Sequence, residues 1–126
     1  MPMTMTTTTT RYLPPDAVRV SCATGLALVH EGFGGKGLRP ATITQAKTLS
    51  AGRGLTYAEV RVNLAWFARF ARCEHARLAR QRDPKSPARV SWLLHGGDAG
   101  HEWVRGVIED DPRCLRGNQG KRSAHE

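Results

Sequence analysis

Trp92-Leu93-Leu94-His95-Gly96-Gly97-Asp98-Ala99-Gly100-His101-Glu102-Trp103 is the stretch that decides how this chain folds. Apolar residues return at helical spacing on both sides of the Gly-Gly pair, which predicts two helices joined by a tight corner. Adjacent glycines disfavour a helix interior and favour a sharp turn or a close backbone approach. Asp98 follows the pair, where a carboxylate accepts the free amide hydrogens of a new helix, so we predict it as the N-cap. The predicted structural corner consists of Trp92, Gly96, Gly97, Asp98 and Trp103.

Outward from this corner, helical spacing of apolar residues predicts further helices, and no segment alternates with period two. The first helix is expected over 16–31 and the second over 40–49. Thr56 and Glu59 have the spacing of a capping box, in which each side chain bonds a free amide of the other residue. They start a third helix, which we expect to reach about His75 or beyond. A Ser-Pro pair opens the helix that leads into the corner.

These elements predict an all-α fold, a compact bundle of four or five short helices with disordered termini. A chain of 126 residues has room for one domain with one core. Residues 1–13 are expected to be a disordered leader, 14–111 the helical domain, and 112–126 a disordered basic tail. Residues 109–111 are all acidic and oppose the helix dipole at a C-terminus, so we expect the last helix to stop before them.

The net charge of +8 is the main indication of a partner. A basic surface attracts polyanions, of which nucleic acid is the commonest; an arginine bias of a GC-rich genome is the alternative. No apolar run approaches the roughly 20 residues of a membrane helix, and no secretory signal pattern is present. The three cysteines are widely spaced, as in proteins of a reducing compartment. These features favour a cytoplasmic location.

The positive charge is concentrated in the segment 69–89, where an extended third helix and the following loop would line up a strip of cations. Such a strip tracks a phosphate backbone with strong salt dependence, whereas a merely solvated helix face is the alternative. A helix-turn-helix formed by 40–51 and 56–68 is less favoured, because Glu59 would face phosphates. The residues predicted to bind nucleic acid are Arg69, Arg72, Arg77, Arg80, Arg82, Lys85 and Arg89.

Three other chemistries are not favoured. The glycine-rich loop 32–37 lacks the preceding strand and the Lys-Ser or Lys-Thr ending of a nucleotide-binding loop. No Cys-x-x-Cys or His-x-x-x-His pair marks a metal site. Asp98, His95 and His101 form a cluster of catalytic residue types, but a capping aspartate beside exposed histidines explains the same residues. We therefore expect no catalytic residues, no cofactor and no metal.

The whole pattern resembles a small, largely uncharacterised domain of phage and prophage proteins, found alone or attached to head-maturation and structural proteins. The resemblance lies in Leu-Arg-Pro-Ala at 38–41, Trp-Phe-Ala-Arg-Phe at 66–70 and the corner at 92–103. Cys73 stands where the domain has a histidine, and His95 stands where it has a second tryptophan. The resemblance implies a phage or mobile-element origin and supplies no catalytic residues.

The resemblance covers residues 17–108 and implies a location in the host cytoplasm or in the virion. Together with the charge, it leads us to expect a non-enzymatic basic domain that binds nucleic acid, DNA more than RNA, through phosphates. The alternative is a virion or assembly module that binds another phage structural protein. In that case an exposed aromatic patch around Trp92, Trp103 and Phe33 would form the interface.

Overall fold

The computed structural model describes residues 10–35 and 37–111, without the side chains of Glu74 and His75. This part of the chain is all α, as predicted, but it contains six helices rather than four or five. No helix within it is both long enough and apolar enough to cross a membrane. The predicted basic tail and residues 1–9 of the predicted leader lie outside the described residues. The helices are α1 (Asp16–His30), α2 (Pro40–Ser50), α3 (Tyr57–Arg72), α4 (Glu74–Arg82), α5 (Pro87–Leu94) and α6 (Gly97–Asp110).

The sixth helix arises because the predicted long third helix is broken at Cys73. This residue is extended, with φ −78° and ψ 103°, and it is both the C-cap of α3 and the N-cap of α4. Neither glycine nor proline marks the break. The change of direction lets α4 pack against both α3 and α5, which buries Ala76. Tertiary packing thus overrides the local helical preference of this polar segment.

Helix α1 lies at the centre of the bundle, in contact with α2, α5 and α6. Its predicted inner face is confirmed at Val18 and Cys22, which are both fully buried, while Leu26 and Val29 pack at the edge of the core. The Cys22 thiol donates to the Leu94 carbonyl oxygen at 3.4 Å, and burial raises the pKa of this thiol to about 12. Cys22 therefore serves as a small apolar residue with one internal hydrogen bond.

Local sequence signals set the starts of two helices correctly. The Thr56 hydroxyl accepts from the Glu59 amide at 3.2 Å, and the Glu59 carboxylate accepts from the Thr56 amide at 2.8 Å. This is the predicted capping box. At α5 the Ser86 hydroxyl accepts from the Arg89 amide at 3.1 Å, and Pro87 occupies the first helical position. These signals work because each cap uses residues within one turn.

Both ends of the described chain meet on one side of the bundle. Tyr12, inside the segment expected to be a disordered leader, forms an antiparallel bridge with Leu55. The expectation that the last helix stops before residue 109 is wrong, since α6 runs through Asp110. Asp111 follows as its C-cap, is 6% exposed, and accepts a hydrogen bond from the Tyr12 hydroxyl. This contact compensates for placing a carboxylate at the negative end of the helix dipole.

Candidate functional site: the corner and the arginines around it

The Gly-Gly corner has the predicted sharp turn. Gly96 and Gly97 both have left-handed backbone, with φ +113° and +67°, a conformation that residues with a Cβ rarely adopt. A Cβ on Gly100 would lie 2.7 Å from the His95 carbonyl oxygen, so the two sides of the corner approach each other closely. The prediction that Asp98 is the N-cap is wrong. Helix α6 begins at Gly97, with Gly96 as an N-cap that has no side-chain bond, and Asp98 lies within the first turn.

Six rings from three helices pack around this corner, and we call them the ring cluster. Phe67 lies at its centre, fully buried, with its ring edge-to-face against Trp92 at 5.0 Å and stacked on His101 at 4.9 Å. Trp66 stacks on His95 at a centroid distance of 3.5 Å. Aromatic pairs in such geometries contribute beyond their buried area. The ring cluster consists of Trp66, Phe67 and Phe70 from α3, Trp92 and His95 from α5 and its C-cap, and His101 from α6.

Asp98 has a different role from the predicted one. Its carboxylate accepts a hydrogen bond from the Trp92 indole nitrogen at 2.8 Å, which satisfies the polar atom of a side chain only 4% exposed. The Cζ atom of Arg80 lies 4.0 Å from the centroid of the same Trp92 ring. Partial burial lowers the pKa of Arg80, while the negative charge of Asp98 raises it. These contacts connect three helices, because Asp98 lies on α6, Trp92 on α5 and Arg80 on α4.

The histidines of the corner are engaged in packing. His95 Nδ1 lies 2.9 Å from the Ser91 carbonyl oxygen, and its ring is covered by Trp66. Burial lowers the pKa of His95; burial, followed by repulsion from Arg105, lowers that of His101. Both rings are therefore neutral near pH 7. Among the described residues, no three His, Cys, Asp or Glu side chains are grouped so that they could hold a metal ion.

The residues predicted to bind nucleic acid lie on α3, on α4 and beyond it, not on one extended third helix. Arg69 and Arg72 are exposed on α3, and Arg82 is exposed at the end of α4. Arg80 lies on the ring cluster, and its Nη1 is buried without a hydrogen-bond partner. Lys85 is also exposed, with its Nζ 5.0 Å from the Phe33 ring centroid, whereas Arg77 and Arg89 are partly buried.

A more regular set of cations lies along α3 itself. Arg61, Arg69 and Arg72 are all exposed and occupy one side of this helix, within roughly 80° of arc at 100° per residue. We call these three residues the α3 stripe. No carboxylate among the described side chains lies within ion-pair distance of any of them; the acidic residue of α3, Glu59, is paired with Arg11 at 3.7 Å. Arg61 was absent from the predicted set, although its spacing from Arg69 signals the shared side.

The predicted aromatic patch does not form as expected, because Trp92 is buried. Phe33 is 37% exposed and lies beneath the Lys85 ammonium group. Trp103 is half-buried and lines a separate groove of about 470 Å³ along α6, together with Val107, Glu102 and Tyr12. Binding of another protein through exposed aromatic residues therefore stays a prediction, and Trp103 is the member of the predicted patch that lines a groove.

Helices α2 and α3, the pair considered for a helix-turn-helix, do not pack directly on each other. No Cα atom of one lies within 8 Å of a Cα atom of the other. Their side chains meet instead through two amides: Gln45 donates to Asn63 at 2.7 Å, and Asn63 donates to Gln45 at 2.9 Å. A helix-turn-helix needs its two helices in contact, so this pair lacks the packing of that motif.

Comparison of the chain with protein-family models, with curated proteins and with solved structures gave no match in any of the three. The likeness to the phage domain therefore stays a prediction based on the corner and the flanking aromatic residues.

Proposed function

We propose that this protein binds nucleic acid through the phosphate backbone, with the α3 stripe as the principal contact surface. The observation that carries the proposal is the alignment of Arg61, Arg69 and Arg72 on one exposed side of a single helix, free of ion pairs with the described carboxylates. An arginine already paired with a carboxylate gains less from a phosphate, since it must give up its partner. Unpaired guanidinium groups make bidentate hydrogen bonds to phosphate oxygens without that loss.

The dimensions of the stripe support the same proposal. From Arg61 to Arg72 the helix rises about 16 Å at 1.5 Å per residue, so the three charges extend along several successive phosphates of a strand. Glu59 lies on another side of α3, where it is paired with Arg11, so its negative charge does not face a backbone bound to the stripe. The net charge of +8 adds a long-range attraction that raises the association rate.

The arginines of the segment 69–89 therefore make different contributions to the proposed surface. Arg69 and Arg72 belong to the stripe, and Arg82 adds an exposed charge at the end of α4. Arg80 is proposed to be structural, because its guanidinium group covers the Trp92 ring. Contacts of this kind to phosphates position a strand and carry no base preference. Binding to DNA in preference to RNA stays a prediction, which the same titration addresses.

Fluorescence-polarisation titrations with labelled single- and double-stranded DNA and with RNA, over a series of salt concentrations, test the proposal. The matched pair of variants is Arg61/Arg69/Arg72→Ala and Lys47/Arg53/Arg105→Ala, which remove equal charge from exposed positions. Each lost phosphate contact reduces the slope of log K against log salt by about 0.7–0.9. We expect a reduction of about 2 in the stripe variant and a clearly smaller one in the control.

Two results would overturn the proposal. One is the absence of binding by the wild-type chain to all three nucleic acids at low salt. The other is an equal loss of affinity in both triple variants, because binding would then follow net charge and not the α3 stripe. Circular dichroism and urea unfolding of both variants check that the fold is kept.

A further inference from the structure

The gap between α2 and α3 is an open cleft of about 490 Å³, which is within the usual range of small-ligand sites. Its floor is the paired amides of Gln45 and Asn63. Asn63 is 3% exposed and also donates to the Glu59 carbonyl oxygen at 2.8 Å, so the floor is fixed by three hydrogen bonds. The paired amides thus bridge the two helices and satisfy each other's polar atoms.

Two positively charged residues line the cleft. Arg39, from the residue before α2, and Arg69, from α3, both line it, and neither has an ion-pair partner among the described carboxylates. Thr42 adds a hydroxyl group on the α2 side. No acidic side chain lines the cleft, so an anion placed between the two arginines meets no opposing charge. Two guanidinium groups at one cavity favour a phosphate group over a neutral ligand.

The inner wall offers a hydrogen-bond acceptor. His95 lines the cleft, and its Nδ1 faces the Ser91 carbonyl oxygen at 2.9 Å. A carbonyl oxygen only accepts, so Nδ1 carries the proton of the neutral ring and Nε2 is left as an acceptor. Stacking on Trp66 fixes the orientation of the ring. The lining of the cleft therefore combines two arginines with the His95 ring and the Gln45–Asn63 amides.

We propose that the cleft between α2 and α3 binds one nucleotide, with its phosphate between Arg39 and Arg69 and its sugar or base towards His95 and the Gln45–Asn63 pair. The ligand class is a nucleoside phosphomonoester, either free or as the 5′-phosphorylated end of a strand. The second form rests on the proposed function, because Arg69 belongs both to the cleft and to the α3 stripe. A strand that follows the stripe would then place its terminal nucleotide in the cleft.

Adenosine monophosphate and adenosine are the probes for the free form, used with the full chain in calorimetry and in NMR spectra of the Trp66 indole N–H. We expect the phosphomonoester to bind and to shift this signal, and adenosine to do neither. Arg39→Ala removes one phosphate contact and should weaken binding about tenfold or more. Arg53→Ala is the control, since this exposed arginine belongs neither to the lining of the cleft nor to the α3 stripe, and it should change the affinity less than about twofold.

Labelled strands with a 5′-phosphate or a 5′-hydroxyl test the second form. We expect the wild-type chain to prefer the phosphorylated end and Arg39→Ala to remove that preference. The inference is overturned if adenosine monophosphate neither binds nor shifts the Trp66 signal, or if Arg39→Ala and Arg53→Ala weaken its binding equally. Salt-dependent binding of strands without nucleotide binding would reject the cleft alone. Nucleotide binding without strand binding would reject the proposed function and the strand-end form, and keep the free form.

Discussion

Arg72 and Arg80 come from the same basic segment, yet the fold gives them different surroundings. Arg72 is exposed on α3, with no carboxylate partner among the described residues. Arg80 lies over Trp92 at 4.0 Å, close enough to Asp98 for that charge to raise its pKa against the lowering by burial. The comparison teaches that the count of arginines in a segment overstates the surface available to a polyanion. Whether an arginine is available to a polyanion depends on the side chain that its guanidinium group covers.

Removing the Trp92 ring beneath Arg80 should have the largest effect on stability. Trp92→Ala should lower the free energy of unfolding by about 3–5 kcal/mol, because it empties a buried site within the ring cluster, against Phe67. Urea unfolding followed by circular dichroism measures the change. Trp103→Ala is the control, and it should cost less because Trp103 is half-buried at a groove. Equal losses in the two variants would contradict the buried, tightly packed position of Trp92.

The next effect concerns the acceptor of the Trp92 indole. Asp98→Ala should lower the free energy of unfolding by about 1–3 kcal/mol, since the buried indole N–H loses its partner. Asp98→Asn keeps an oxygen in place and should cost less. Urea unfolding of the two variants separates the hydrogen bond from the negative charge. Equal destabilisation would mean that the charge near Arg80, and not the hydrogen bond, is what matters.

Single alanine variants of Arg72 and Arg80 test whether the two arginines have different roles. Arg80→Ala should lower the free energy of unfolding by about 1 kcal/mol through loss of the stacking contact, an effect that the unpartnered Nη1 limits. Arg72→Ala should change it by less than about 0.5 kcal/mol. For DNA affinity at low salt we expect the reverse order, with the larger loss in Arg72→Ala. If Arg80→Ala weakens DNA binding more, then Arg80 belongs to the binding surface after all.

A smaller, pH-dependent effect sharpens the picture of the ring cluster. The pKa values of His95 and His101 are lowered from the ordinary 6.5, so the folded state binds fewer protons than the unfolded state just below that pH. The contribution of the two neutral histidines to the free energy of unfolding should be fully present above about pH 6.5. It should decrease as the pH drops towards the folded-state pKa values. Urea unfolding at several pH values measures this. His95→Phe keeps a ring on Trp66 and should make the free energy of unfolding depend less on pH. An unchanged pH dependence would mean that other groups cause it.

Much of the fold could be predicted because the signals are local. The capping box at Thr56 and Glu59 and the Ser-Pro start of α5 need only residues within one turn, and both are present. The all-α class follows from apolar spacing in the same way. The residues of the candidate site stay a prediction. Arg69 and Arg72 are exposed on α3, and Arg61, which shares their side of that helix, was not in the predicted set. Arg80 was expected on one extended third helix with them, but it lies on α4.

The sequence by itself determined where most helices start, which residues of α1 face the core, and that Gly96 and Gly97 make a corner, because these depend on neighbours along the chain. Only the tertiary structure decided the rest. The break at Cys73 follows from the packing of α4 on α5, and the role of Asp98 follows from the indole that comes within 2.8 Å of it. Contacts between separate helices, even consecutive ones, carry energies comparable to local preferences, and no pattern of spacing contains them.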